Sequence, residues 1–314
     1  MVFAFFRSRG YIKGFDELRE GFQIEDLIWL DLLQPTSQER SFAEELFNIK
    51  LQSQEEIEEI ESSSKFSETE NQIIINSNFM VWKDGTYNTY PVSLILKNNV
   101  LISFRNTKLQ TFGDTIRRIK NRNKYITSAY QIILALFDSR IDLDADYLEA
   151  ITKDISRLSK EVNIEQDLDE EVLLSIGTLQ ETTMMIHENI VDKQRIFSAM
   201  LKSDFFPEES YEFIRIMLKD IGSLLDHTQF SFERLEFLQN TFLGLVDFEQ
   251  NKVIKIFTVV TVIFMPPTLI ASIYGMNFKH MPELSWPYSY PLALLIMVAA
   301  SVGTLWFFKR KKWL

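Results

Sequence analysis

Two stretches near the end of the chain carry no charged residue: Ile256 to Phe278, 23 positions, and Leu284 to Phe308, 25 positions. A helix needs roughly 20 apolar residues to cross the hydrocarbon core of a bilayer, so each is long enough to span it. Their flanks set an orientation. Lys252 and Lys255 precede the first run and Lys309, Arg310, Lys311 and Lys312 follow the second, whereas the joining loop holds only Lys279, His280 and Glu283. Positive residues stay on the cytoplasmic side, so the N- and C-termini are both expected there, in a bacterial or archaeal cell (inner) membrane. Trp286, Tyr288 and Tyr290 near the loop, with Trp306 and Trp313 at the other end, fall where interfacial aromatic belts belong.

One hairpin cannot enclose a water-filled path, so a transport function would require several copies around an axis. At about 100° per residue, Asn251, Thr258, Thr261, Met265, Thr268 and Ser272 share an arc of roughly 100° on the first run. Val259, Val260, Ile263, Phe264 and Ile270 lie mostly elsewhere. Serine and threonine in membrane helices also bond their own backbone or a neighbouring helix, so the stripe alone leaves a packing role open. Pro266 and Pro267 free backbone carbonyls, which must find partners or water.

Upstream, the first 110 residues read as mixed α/β. Leu27–Leu32 and Gln72–Trp82 have strand character, and Val92–Phe104 reads as a hairpin turning at Asn98 and Asn99. "TSQERSFAEELF" between the first two strands is helical, and Ser53 with Glu56 forms a capping-box pattern. A small sheet with helices packed on it is expected. From Asp114 helices dominate, and the acidic stretch Asp138 to Glu171 reads as a solvated helical face. After Pro207 there is no proline until Pro266, and Ile214, Ile221, Thr228, Leu235 and Phe242 recur every seven residues, with Leu218, Leu225, Phe232, Gln239 and Val246 offset by four. This implies one helix from Glu208 to about Tyr274. Its polar members, Thr228 and Gln239, favour an oligomeric stalk, with packing inside the chain as the alternative. The expected organisation is an α+β cytoplasmic domain over residues 1–207, a long stalk helix over 208–254 and a transmembrane hairpin over 255–314. Within the hairpin the spans are about 256–276 and 289–308.

The net charge of −11 hides an asymmetry: before Asn251 there are 26 basic and 43 acidic side chains. Such a body attracts cations and repels nucleic acid. The absence of cysteine excludes disulfides and thiolate chemistry, and His187, His227 and His280 are too scattered for a zinc cluster. No GxxxxGK[ST] phosphate loop occurs, so neither an ATP site nor an organic cofactor is expected. "MVFAFFRSRGYIKGF" is interrupted by Arg7 and Arg9 too soon to be a signal peptide.

The stretch "YGMNF" (Tyr274 to Phe278), followed by "MPEL", resembles the signature of the CorA family of magnesium transporters. "FEQNKVIKIF" (Phe248 to Phe257), "MPPTLIASIYGMNF" and the terminal "FKRKKWL" are also similar to that family. The resemblance implies no enzyme. It implies a homopentameric funnel in which the first span of each subunit lines a central pore and carries Mg²⁺, with Co²⁺ and Ni²⁺ sharing the route. On it, Gly275, Met276 and Asn277 form the selectivity filter. Asn251, Ile254, Phe257, Thr261, Met265, Thr268 and Ser272 line the pore, with Phe257 and Met265 as apolar constrictions, and Lys309, Arg310, Lys311 and Lys312 form a basic collar. Gly275 is expected to let the backbone leave the helix. Regulatory Mg²⁺ is assigned to Glu59 with Asp220 of a neighbouring subunit, Asp226 being the rival. Two other readings stay open: a transporter of another divalent ion such as Zn²⁺, and a membrane-anchored sensor.

Overall fold

Apolar residues on strictly alternate positions would give a sheet one wet face; here the central strands carry buried apolar side chains on both faces, as a sheet covered on both sides requires. The computed structural model describes residues 1–314 apart from 9–10, 16–23, 53–55, 58–64, 122–125, 163–168, 278 and 312–314. It divides into two units, Met1–Leu238 and Gln239–Leu314.

In the first unit, strands β1 (Val2–Ser8), β2 (Tyr11–Phe15), β3 (Leu27–Leu33), β4 (Phe66–Thr69), β5 (Gln72–Lys83), β6 (Thr86–Lys97) and β7 (Val100–Arg105) form one sheet in the order β2-β1-β3-β7-β6-β5-β4. Only β3 and β7 pair in parallel. All seven residues of β3 are buried. The expected turn at Asn98 and Asn99 joins β6 to β7, both residues having positive φ (50° and 60°), as a two-residue type I′ hairpin demands. A second such turn, at Asp84 (φ 54°) and Gly85 (φ 83°), starts β6 six residues earlier than expected. Pro91 is tolerated within β6 because the β6–β7 pairing ends at Val92, so the missing N–H falls where no strand asks for it.

The helix after β3 is α1 (Ser37–Phe47). Its capping box is Thr36 with Glu39: Thr36 Oγ1 accepts the Glu39 N–H at 3.2 Å and Glu39 Oε2 accepts the Thr36 N–H at 2.7 Å. The pattern at Ser53 falls outside the described residues. One face of the sheet packs through Leu30, Leu32, Ile102 and Phe104 onto Ala43 and Phe47 of α1. The other is covered by α2 (Gln110–Asn121), α3 (Ala129–Lys160) and α4 (Glu170–Met200) through a chain of rings, Trp29 to Phe112 (5.9 Å), Phe79 to Phe137 (6.3 Å) and Phe137 to Phe197 (5.2 Å). Buried on that face, Asp31 receives Arg105 Nη2 at 2.6 Å, Arg105 Nε at 3.1 Å and the Ser103 hydroxyl at 2.7 Å.

Among the described residues of the acidic stretch, the carboxylates are exposed or half-buried except Asp144. Asp144 is buried one turn from Ile141 and Leu148, held by Arg140 and by Lys193 Nζ at 3.0 Å. A carboxylate on the buried face of a helix needs such partners, which sequence spacing does not reveal.

Helix α5 spans Glu208–Tyr274 and α6 spans Ser289–Arg310, a 3₁₀ turn at Pro282–Ser285 preceding the latter. Within the first unit, Ile214, Ile221, Thr228 and Leu235 are all buried, accompanied by Met217, Ser231 and Leu238 at an offset of three rather than four. The seam therefore packs inside the chain. Thr228 meets His187 of α4, Arg234 meets Ser156 of α3 at 3.1 Å, and Tyr130 of α3 meets Glu209 at 2.7 Å. This corrects the stalk-axis reading of the heptads: the polar residue on the seam, Thr228, is answered by a histidine on a neighbouring helix of the same chain.

Candidate functional site

The second unit contains the rest of α5, the loop and α6. Both α5 and α6 are long and apolar enough to cross a membrane, and almost none of their most apolar windows is buried. Such surface in water would be prohibitive, so a bilayer is its natural solvent.

From Asn251 onward, the half-buried residues of α5 are Val259, Val262, Ile263, Pro266, Pro267, Ile270 and Tyr274. The residues of α6 that are buried or half-buried are Ser289, Ala293, Met297, Ala300, Ser301, Thr304 and Phe308, mostly small side chains of the kind found where membrane helices meet. Ser301 Oγ reaches the Ile263 carbonyl at 3.4 Å, across the pair. By contrast Asn251, Ile254, Phe257, Thr258, Thr261, Met265, Thr268 and Ser272 are all exposed. At about 100° per residue, the centre of the covered face lies roughly 150° around the helix from the centre of this stripe. The second span thus leaves the polar stripe free.

The three threonine hydroxyls on that stripe donate to their own helix. Thr258, Thr261 and Thr268 donate to the carbonyls of Ile254, Phe257 and Phe264 at 2.8, 2.8 and 2.7 Å. Each oxygen keeps lone pairs for an outside donor. Acceptor oxygens spaced along one face suit the water shell of a cation.

The helix ends at Tyr274, and Gly275 donates its N–H to the Ala271 carbonyl at 2.9 Å, with Met276 reaching Ile273 at 3.3 Å. Gly275 does not take the left-handed backbone region. Its value is room: a Cβ there would lie 3.2 Å from the Ala271 oxygen. Met276 and Asn277 are exposed just past the helix end, on a continuous segment with the stripe. Phe278 lies outside the described residues.

At the far end of α6, Lys309, Arg310 and Lys311 are exposed, and the Arg310 guanidinium lies 5.3 Å from the Trp306 ring centroid. Lys312 is outside the described residues, as is Glu59. In the first unit Asp220 and Asp226 are exposed on α5. Among the described residues of the single chain, no group of three or more acidic or histidine side chains is gathered for a metal. The sequence reading missed Ser301 and the small-residue row of α6. Alanine, serine and threonine at spacings of three and four along the second run were the signal available.

A family model described as CorA-like Mg²⁺ transporter protein matches residues 25–310. A magnesium transport protein CorA of Wolinella succinogenes is 36% identical over 321 residues, spanning 100% of both chains. One from Campylobacter jejuni is 37% identical over 301 residues, 92% of each. Among solved structures, the complete CorA magnesium transporter from Methanocaldococcus jannaschii superposes with a TM-score of 0.85 at 21% identity, covering 100% of this chain and 99% of that one. That likeness extends the fold correspondence from the sheet through both apolar helices. With a family match across nine-tenths of its length and relatives above 30% identity from end to end, the chain belongs to the CorA-like Mg²⁺ transporter family.

Proposed function

We propose that the protein is a passive, potential-driven Mg²⁺ channel, assembled as a homopentamer in the cell membrane and gated by cytoplasmic Mg²⁺. The observation that carries this reading is the exposed stripe of acceptor oxygens on α5, on the side away from α6, leading into Gly275, Met276 and Asn277. Family membership supplies the ion.

Mg²⁺ surrenders its octahedral waters reluctantly, so a mouth that captures it should address the shell rather than the ion. Five copies of Asn277 would present amide oxygens that hold a hydrated divalent cation without trapping it, the balance that conduction requires. Phe257 and Met265 then form apolar narrowings, and Asn251, Ile254, Thr261, Thr268 and Ser272 line the path between. The driving force is sufficient: a double charge crossing 100 mV gains about 4.6 kcal/mol. Co²⁺ and Ni²⁺, similarly hydrated, share the route.

Assembly is supported in the first unit by Ile216, Phe230 and Phe237, which are 52%, 62% and 69% exposed on the face of α5 away from its buried seam. Spaced by multiples of seven, they form the surface that neighbouring copies would cover. Lys309, Arg310, Lys311 and Lys312 form a basic collar at the cytoplasmic end. Gating is assigned to Glu59 with Asp220 of the neighbouring subunit, or Asp226 in its place.

Reconstitution in vesicles loaded with a Mg²⁺-sensitive dye, under an inside-negative potential, tests the reading. Influx in the wild type that falls at least tenfold in Asn277→Ala is expected. Absence of wild-type influx would leave the spans as an anchor for a sensor.

A further inference from the structure

Proline has no amide hydrogen, so Pro266 and Pro267 deprive the carbonyls of Val262 and Ile263 of the donors one turn ahead. In hydrocarbon a carbonyl left this way must be answered by a neighbouring group. Ser301, on α6, is placed to do so. Its Oγ lies 3.0 Å from the Met297 carbonyl of its own helix and 3.4 Å from the Ile263 carbonyl across the pair. Small neighbours, Ala300 before it and Thr304 one turn on, keep the helices close enough for that reach. The two freed carbonyls are not equivalent. Val262 lies about 100° around the helix from Ile263, back toward the polar stripe, so a donor from α6 can answer Ile263 and leave Val262 on the wetter side.

We propose that Ser301 is a positioning residue for ion passage. Its shared hydroxyl proton ties the carbonyl freed by Pro267 to the second span, which fixes the rotation of the segment beyond the prolines. That segment carries Thr268, Ser272 and the filter residues, so its rotation decides whether their oxygens face the axis. Without the tie, the Ile263 carbonyl competes for other donors and the segment shifts. The proposal goes beyond the transport reading by assigning a role to the span that does not line the path, and its effect on flux rests on that reading.

The test is a double-mutant cycle in the full-length protein reconstituted in vesicles, because Pro267→Ala restores the missing N–H and makes Ser301 dispensable. Ser301→Ala alone should slow Mg²⁺ influx roughly three- to tenfold, the scale of one modest hydrogen bond. In a Pro267→Ala background the same change should alter influx by less than about twofold, within the scatter of such cycles, which marks the two positions as coupled. A Pro266→Ala background repairs Val262 instead, so there Ser301→Ala should retain its full effect. An equal loss in both the Pro267→Ala and wild-type backgrounds, or no loss in wild type, would overturn the proposal. An optical readout works even without flux. In protein with ¹³C-labelled isoleucine carbonyls, with the Ile263→Val spectrum subtracted, Ser301→Ala should move the Ile263 infrared band to higher frequency, and Pro267→Ala should abolish that shift. An unmoved band refutes the tie; a moved band in a protein that passes no Mg²⁺ upholds the tie and refutes the transport reading.

Discussion

Nδ1 of His187 lies 2.8 Å from Oγ1 of Thr228, joining α4 to α5. Thr228 Oγ1 also lies 2.7 Å from the Leu225 carbonyl, and a Thr228 proton directed there leaves its oxygen to accept from His187 Nδ1–H. Removing the acceptor with Thr228→Val, which keeps the shape, should lower unfolding stability by about 1 kcal/mol. Denaturant unfolding of the protein in detergent measures this. The subunit count of the assembly should be unchanged, since both partners belong to one chain; dissociation would return Thr228 to a subunit contact.

That pair also marks where the sequence misled. The heptad of Ile214, Ile221, Thr228 and Leu235 was legible as a seam, but a seam does not name its partner, and α3 and α4 of the same chain fill it. Elements whose signal is local were readable: β3 and β5 from apolar runs, the turn at Asn98 and Asn99 from residues that tolerate positive φ, and the two spans from the absence of charge. Strands β1 and β2 were not: two arginines break up the apolar pattern of "MVFAFFRSRGYIKGF", although β1 pairs locally with β2, Ser8 opposite Tyr11, and then with β3, Val2 opposite Leu32. The polar stripe was legible from angles alone. That α6 lies on the opposite side was not, since it depends on where the second span meets the first, as Ser301 does at the Ile263 carbonyl.

Buried charge gives a second prediction. Arg140 and Lys193 share one carboxylate, Asp144. Burial pushes the Lys193 ammonium down to about 8, with Asp144 opposing the shift. Burial alone would raise the Asp144 carboxyl, but Lys193 and Arg140 hold it below its ordinary value. Because the folded lysine value lies below the ordinary 10.5, the unfolded chain binds the extra proton between about 8 and 10.5. Stability should therefore rise with pH across that window. Lys193→Met leaves Asp144 its arginine and should flatten the rise; an unchanged slope would assign the effect elsewhere. Asp144→Asn, which strands two cations, should cost about 3–5 kcal/mol.

A third prediction concerns the parallel strand pair. Asp31 on β3 and Arg105 on β7 are both buried, and the Arg105 guanidinium also stacks 4.1 Å from the Phe112 ring centroid. Asp31→Ala leaves that guanidinium without its carboxylate and should destabilise the fold by about 3–5 kcal/mol. Replacing both members with Leu and Met should cost much less, because no charge is then left buried alone. Thermal unfolding of the three variants distinguishes an unpaired charge from lost packing.

The chain contains no cysteine, which makes the central claim directly accessible. Single cysteines placed at Thr261, Thr268 and Ser272, and separately at Ile263 and Ile270, can be challenged with a charged, water-soluble thiol reagent while Mg²⁺ influx is followed in vesicles. If the stripe on α5 lines a wet axis, the first three should react and lose influx, and the two that face α6 should be spared. Modification that spares the threonine and serine positions, or blocks both sets alike, would contradict the account.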